Sequence, residues 1–159
     1  MRQTNFEKSL KKGQIGERII WKFLEDRGWI IYKPYTENKP HYFDIIATKN
    51  KEKVIAIDVK TKARFNNWAA QGINVNHYEQ YLQFVERTNV PFYLVFIDDK
   101  IGDVHVADIT KLKNGFNPTN NVIAWSLDQM HFLFKIDQET ISKLSKYDQR
   151  NCKFKRWDL

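Results

Sequence analysis

Apolar and polar positions between Val54 and Lys60 follow the clearest pattern in the chain. The segment is rich in β-branched and small apolar residues, which predicts a buried strand. Side chains on a strand alternate between its two faces, so Asp58 and Lys60 share one face with Ala56. A buried charge is costly unless it is paired or holds a metal. Asp58 and Lys60 therefore form either a structural ion pair or part of a functional site.

A second apolar segment, from Tyr42 to Ala47, predicts another strand and carries one carboxylate, at Asp44. Residues 48–53 are polar and turn-like, so we expect the two strands to form a hairpin. In that hairpin Asp44 and Asp58 lie near each other on one face. Two neighbouring carboxylates repel unless a positive charge lies between them. A Mg²⁺ ion, which favours carboxylates, waters and phosphate oxygens, suits this arrangement.

Residues 5–28 have apolar positions at helical spacing, which predicts an N-terminal helix that ends near Gly28. Gly13 and Gly16 are positions at which this helix can bend or split. The apolar residues that define its expected inward face are Phe6, Leu10, Ile20, Phe23 and Leu24.

Glu17 is the exception in this helix, because it falls on or beside the apolar stripe. A glutamate in that position needs a partner. One interpretation is a salt bridge to a base of the same helix, either Arg18, Lys22 or Arg27. The other is a third carboxylate that faces the two acids of the hairpin.

The rest of the pattern predicts an alternation of strands and helices with one long loop. In order, the predicted elements are a short strand at 29–32, a helix with a capping box from Asn76 to Thr88, a strand buried on both faces at 91–97, a strand at 103–107, a loop at 113–121, a strand at 130–136 and a final helix capped by Asp137.

A basic and aromatic segment follows the Asp58 strand directly, at residues 61–72. Basic side chains interleaved with rings suit the phosphates and bases of a nucleic acid. An ordinary loop with its tryptophan in the core is the alternative. The candidate nucleic-acid contacts in this segment and on the following helix are Lys62, Arg64, Trp68, Gln71 and Gln80.

Composition narrows the class of protein. The chain has 159 residues, of which 42% are hydrophobic and 14% aromatic, as expected for a packed globular domain rather than a disordered chain. Its formal charge of +7 favours a polyanionic partner. The only cysteine, Cys152, excludes a disulfide framework. Because no segment is typical of a signal peptide or a membrane span, we expect a cytoplasmic protein without a membrane partner.

The order of elements and acids resembles the PD-(D/E)xK nuclease superfamily, which has the restriction-endonuclease-like fold. The motifs are most similar to those of Holliday-junction-resolvase-like proteins and small phage or bacterial endonucleases. They are Gly13-Gln14-Ile15-Gly16-Glu17, Phe43-Asp44-Ile45-Ile46-Ala47 and Ile57-Asp58-Val59-Lys60-Thr61. The resemblance covers about residues 5–112 and implies an α/β fold, a mixed β-sheet flanked by helices with an α-β-β-β-α-β-β core. We expect residues 113–159 to form a C-terminal strand and helix extension of the same single domain, 1–159.

The resemblance also implies roles for individual residues. Asp44, Asp58 and the carbonyl of Val59 would be metal ligands, and Lys60 the catalytic lysine. Glu17 would be the helix acid that binds the metal directly or through water. Mg²⁺ is the expected cofactor, with Mn²⁺ as a substitute. Two departures stand out, since position 43 is Phe rather than Pro and position 58 is Asp where Glu is commoner.

The expected function is that of a Mg²⁺-dependent DNA endonuclease, a phosphodiester hydrolase acting on branched or structured DNA. Three alternatives remain open from the sequence. The first is a catalytically inactive nucleic-acid-binding module of the same fold, the second an RNA nuclease or exonuclease, and the third a protein-interaction domain. Resolvase-like relatives cut two strands as dimers, so a homodimer is one alternative for the oligomeric state.

Overall fold

A computed structural model describes residues 4–34, 41–50, 52–65 and 67–148. The helices are α1 (Asn5–Glu25), α2 (Val75–Thr88) and α3 (Gln138–Ser145), with a short 3-10 helix at Leu127–Gln129. The strands are β1 (Ile30–Tyr32), β2 (Ile45–Lys49), β3 (Lys53–Thr61), β4 (Ala70–Asn74), β5 (Phe92–Ile97), β6 (Asp103–Asp108), β7 (Phe116–Thr119), β8 (Val122–Ser126) and β9 (His131–Lys135).

Six strands form a mixed sheet in the order β1-β2-β3-β5-β6-β9. The neighbours β3 and β5 are parallel, and every other pair in this sheet is antiparallel. A parallel pair needs a crossover connection, and α2 lies in that connection. The predicted α/β fold with a mixed sheet flanked by helices is therefore confirmed, with the additional strand β4 between β3 and α2.

Two hydrophobic clusters cover the two faces of this sheet. One contains Ile57 and Val59 with residues of α1 and α3, and the other contains Ala56 with residues of α2. The predicted alternation along β3 is therefore confirmed. Asp58 lies on the same face as Ala56, and its side chain is 5% exposed.

Helix α1 is continuous through both glycines. Thr4 caps it in a capping box with Glu7. Gly16 is buried beneath Thr61 of β3, and a Cβ at this position would overlap the Thr61 hydroxyl. The prediction that the inward stripe begins with Phe6 and Leu10 is wrong. These side chains are 76% and 51% exposed, and the buried residues of α1 begin at Gly16.

The prediction of a loop at 113–121 is also wrong, because this segment contains β7 and leads into β8. Together with β4 these strands form a second, three-stranded sheet of order β4-β8-β7, in which β8 pairs with both of the others. The Asn, Gly and Pro residues of the segment suggested a loop, whereas its backbone groups pair with β8. The N-cap of α2 is Asn74 rather than Asn76, and its side chain accepts a hydrogen bond from the N–H of Asn76.

The C-terminal strand and helix were predicted correctly. β9 pairs with β6 at the edge of the main sheet, and the Asp137 side chain accepts a hydrogen bond from the N–H of Thr140 at the start of α3. Within the described residues, no helix is long and apolar enough to cross a membrane.

Candidate active site

Asp44 and Asp58 lie beside each other at the point where β2 begins and β3 nears its end. Asp44 directly precedes β2, and its backbone N–H donates to the carbonyl of Ile57 at 3.0 Å. Its Oδ2 accepts a hydrogen bond from the backbone N–H of Val59 at 2.7 Å. The hairpin thus brings together the two acids that the sequence predicted, because the register of β2 and β3 places Ile45 opposite Ile57.

Lys60 contacts the Asp58 carboxylate. Its Nζ donates to Oδ1 at 3.1 Å and lies 2.8 Å from Oδ2. Only the Oδ1 contact has hydrogen-bond geometry, so Oδ2 is buried without a hydrogen bond from any described residue. A buried carboxylate oxygen without a hydrogen bond is costly, and the cation that now lies against it is the ammonium of Lys60.

The acids at the site carry more negative charge than the single positive charge of Lys60 balances. Burial raises the pKa of Asp44 to about 7, and the negative charges of Asp58 and Glu17 act in the same direction. The hydrogen bond from Val59 and the charge of Lys60 oppose this shift without cancelling it. The site therefore favours the entry of an additional positive charge.

Glu17 reaches this site from α1, and its ion-pair partner is not one of the bases of its own helix that the sequence suggested. Its Oε2 accepts a hydrogen bond from Nζ of Lys33 at 2.6 Å. Two of the three predicted partners within the helix are engaged elsewhere, since Lys22 pairs with Asp26 and the guanidinium of Arg27 lies over the ring of Phe23. Glu17 and Lys33 line a cleft of about 430 Å³ together with Gln14, Arg18, Trp21, Lys22 and Ile45.

The donor set fits a hard divalent cation bound by few protein ligands. Across residues 4–34, 41–50, 52–65 and 67–148, no group of three or more His, Cys, Asp or Glu side chains is arranged to hold a metal. Mg²⁺ commonly uses one or two carboxylates and completes its shell with waters and substrate phosphates. Asp44 and Asp58 supply such a pair. Oδ2 of Asp58 makes no hydrogen bond, and a bound cation would share this oxygen with the ammonium of Lys60.

Tyr81 of helix α2 forms one wall of the site, although the sequence did not predict this residue as part of it. The Tyr81 side chain is 3% exposed and stacks on Phe92 with ring centroids 4.4 Å apart. Burial raises the pKa of Tyr81, and so do the charge of Asp58 and a hydrogen bond to it, so the phenol stays protonated. The inward position of Tyr81 on the helix after β3 was the only signal in the sequence for this contact.

Three of the five predicted nucleic-acid contacts have side chains that are engaged inside the protein. Nε of Arg64 donates to Asp98 at 2.6 Å and Nη2 to Asp103 at 2.9 Å, so two carboxylates balance its charge. The Gln71 side chain is 1% exposed, and its Nε2 donates to the carbonyl of Lys62 at 3.1 Å.

Lys62 itself is turned inward. Its ammonium donates to the carbonyl of Gly72, and burial lowers its pKa to about 8, with a further contribution from the charge of Lys60. The remaining two candidates are exposed. Trp68 is 51% exposed, with its ring edge-on to those of Phe65 and Phe116, and Gln80 lies on the exposed side of α2.

Comparison with known proteins identifies the fold. No protein-family model and no curated protein sequence matches the chain. Solved structures that share its architecture include Hjc and D212. Hjc, a Holliday junction resolvase from Archaeoglobus fulgidus, is 17% identical over 83% of this chain and 88% of its own, with a TM-score of 0.52. D212, a nuclease from a fusselovirus, is 9% identical over 92% and 96%, with a TM-score of 0.51. The chain thus shares the fold of these two proteins, and the predicted fold class is confirmed.

Proposed function

We propose that this protein is a metal-dependent endonuclease that hydrolyses phosphodiester bonds in DNA. The observation that carries the proposal is the placement of Asp44, Asp58 and Lys60 on one face of the β2–β3 hairpin, with a buried carboxylate oxygen that lacks a hydrogen bond. A fold of this class supports several functions, so the side chains of the site decide between them.

Asp44 and Asp58 would hold a Mg²⁺ ion, for which Mn²⁺ substitutes. The carbonyl of Val59 is a further ligand candidate. In an antiparallel pair the N–H and C=O of one residue point to the same neighbouring strand, and the N–H of Val59 already donates to Asp44. When bound, the cation would neutralise charge on the phosphate and lower the pKa of a water molecule.

Lys60 supplies the positive charge that the protein itself brings to the reaction. Its ammonium lies against Asp58, at the open end of β3, where it can orient an attacking water or stabilise negative charge on the phosphate. Glu17 holds Lys33 at the other side of the site, and this pair has to separate if the glutamate is to reach the metal. We therefore propose that Glu17 contacts the metal through a water molecule rather than directly.

DNA, and branched DNA in particular, is the substrate favoured by the fold similarity. Hjc, one of the solved structures with this fold, is a Holliday junction resolvase, and a formal charge of +7 suits a polyanion. An RNA nuclease or an exonuclease is chemically compatible with the same residues. An inactive binding module is less well supported, because a protein without a metal gains nothing from clustering buried carboxylates.

Nicking of a supercoiled plasmid tests the proposal. Wild type should cut in Mg²⁺ or Mn²⁺ and should not cut in EDTA, while Asp58→Asn should lose the activity. Asp128→Asn, at an exposed aspartate of the 3-10 helix, is the matched control and should cut like wild type. Equal cutting by wild type and Asp58→Asn would contradict the assignment.

A substrate panel then decides the type of nucleic acid. A labelled four-way DNA junction, its linear duplex arms, single-stranded DNA and an RNA duplex are compared at equal concentration. Preferential cutting of the junction supports a branched-DNA nuclease. Binding of the junction without cutting, by wild type in Mg²⁺, would support the binding module instead.

A further inference from the structure

His77 lies on the first turn of α2, above the face of β3 that carries the candidate catalytic residues. Helix α2 packs on this face through aromatic contacts. The ring of Tyr81 stacks on Phe92, which pairs with Ala56 of β3, and Phe84 contacts both Phe92 and Phe43. These contacts fix which part of the helix lies above which part of the strand.

The spacing of the two elements places His77 next to Lys60. Four residues of an α-helix rise about 6 Å, and two residues of a strand rise about 6.6 Å. Tyr81 faces Asp58. His77 lies one helical turn before Tyr81, and Lys60 is the next residue after Asp58 on the same face of β3. Because these two steps have similar lengths, His77 lies above Lys60. The imidazole of His77 is turned to the same side as Tyr81, with ring centroids 6.0 Å apart.

The electrostatics of His77 agree with this position. Burial lowers its pKa, the positive charge of Lys60 lowers it further, and the negative charge of Asp58 opposes the shift. Both residues of the Asp58–Lys60 pair are therefore close enough to act on the imidazole. The side chain is nevertheless exposed, so an incoming ligand can reach it.

The end of α2 at which His77 lies also favours an anion. Backbone N–H groups and the helix dipole give an α-helix N-terminus a partial positive charge. The first turn of α2 contains no acidic residue that would neutralise it. A phosphate bound at Lys60 would thus lie between the lysine ammonium and the first turn of α2.

We propose that His77 is a substrate-contacting residue, whose imidazole N–H donates a hydrogen bond to a phosphate oxygen of the bound nucleic acid. The inference rests on the proposed nuclease function for the identity of the substrate, and it adds a residue to the site that the motifs did not include. Loss of one hydrogen bond to a charged phosphate corresponds to a decrease in affinity of about 10- to 100-fold.

Two substitutions and a matched control test this contact in the cleavage reaction. His77→Ala should lower kcat/KM on the preferred DNA by about 10- to 100-fold. His77→Gln should recover part of the loss, because its amide can also donate a hydrogen bond. The control is His131→Ala, at an exposed histidine of β9, which should act like wild type. Because the His77 side chain is exposed, the thermal midpoints of all variants should match. Wild-type kinetics in His77→Ala would overturn the contact and leave the proposed function intact.

A binding experiment separates this contact from the nuclease activity. The imidazole resonances of the four histidines are recorded by NMR in EDTA, and the His77 signal is identified by its absence in His77→Gln. Addition of a short DNA duplex should shift the His77 signal and leave that of His131 unchanged. A shift in a protein that never cuts would support the contact and refute the endonuclease. An unshifted His77 signal in the presence of bound DNA, or a protein that neither binds nor cuts, would overturn the contact.

Discussion

The carboxylate of Asp44 is held by the backbone N–H of Val59, at 2.7 Å, in the strand that also carries Asp58. A backbone donor fixes the position of Asp44 without neutralising it, so the repulsion between the two acids remains. Burial and that repulsion raise the pKa of Asp44 to about 7. The site is thus built at a cost in stability, as is common where function requires clustered charge.

Asp44→Asn should relieve this cost and remove the response to metal. The asparagine side-chain oxygen can still accept the hydrogen bond from Val59, while the charge next to Asp58 is gone. We expect the variant to have an unchanged or higher thermal midpoint than wild type at pH 7 in EDTA. Mg²⁺ at about 100 times its dissociation constant should stabilise wild type by about 2.7 kcal/mol and the variant by much less. Equal stabilisation of both proteins by Mg²⁺ would contradict the metal assignment.

Lys60→Ala should reduce cleavage by about 10²- to 10³-fold, which is the range for the loss of one preorganised charge at a reacting group. DNA binding, measured by fluorescence anisotropy in EDTA, should change little because many phosphates contribute to it. The control is Lys53→Ala, at the exposed first residue of the same strand. If Lys60→Ala cuts at the wild-type rate, the lysine has no catalytic role.

The two glycines of α1 should respond in opposite directions to alanine. A Cβ at Gly16 would overlap the hydroxyl of Thr61, whereas a Cβ at Gly13 meets no atom of the described structure within 4 Å. Gly16→Ala should therefore lower the free energy of unfolding by about 1–3 kcal/mol through overpacking. Gly13→Ala should raise it by about 0.5–1 kcal/mol, because alanine is the better helix former. Urea denaturation measures both, and a stabilised Gly16→Ala variant would show that α1 does not pack on β3 as described.

Acid should weaken the protein partly through Asp98. Burial alone would raise the pKa of Asp98, but hydrogen bonds from Arg64 and from the backbone N–H groups of Lys100 and Ile101 together lower it. A carboxyl group with a lowered pKa in the folded state stabilises the protein above its unfolded pKa of about 3.9. That stabilisation is lost as the pH falls below about 4 and through the folded-state pKa.

Denaturation curves measured from neutral pH downwards test this dependence. Wild type should lose stability more steeply below about pH 4 than Asp98→Asn, which carries no titratable group at this position. The asparagine variant should also be less stable than wild type at neutral pH, since Arg64 loses a charged partner. Parallel curves for the two proteins would show that Asp98 makes no contribution to acid sensitivity.

The sequence alone was sufficient for the parts of the site that lie on one local hairpin. The alternation in β3 assigned Asp58 and Lys60 to one face, and a short polar turn brought Asp44 alongside them. These contacts depend on strand periodicity and turn length, both of which are local properties. Helix α1 and the Asp137 cap of α3 were predictable for the same reason, because their signals lie within a few residues of the element.

Tertiary structure decided everything that depends on which elements meet. The second sheet joins β4 to β8 across a wide separation in sequence, and neither β4 nor β7 has a strong strand pattern of its own. The partner of Glu17 is Lys33, in the chain that follows β1, rather than a base on its own helix. Arg64 is paired inside the protein with Asp98 and Asp103 instead of facing a ligand.

The position of α2 shows why the local sequence pattern predicted the helix but not its contacts. Its amphipathic pattern indicated a helix, but the contact of Tyr81 with Asp58 depends on how that helix crosses the sheet. Packing of large side chains between α2 and β5 fixes that crossing, and no periodicity within α2 encodes it. Local spacing therefore specified the acids and the lysine of the site, whereas long-range packing specified the residues that surround them.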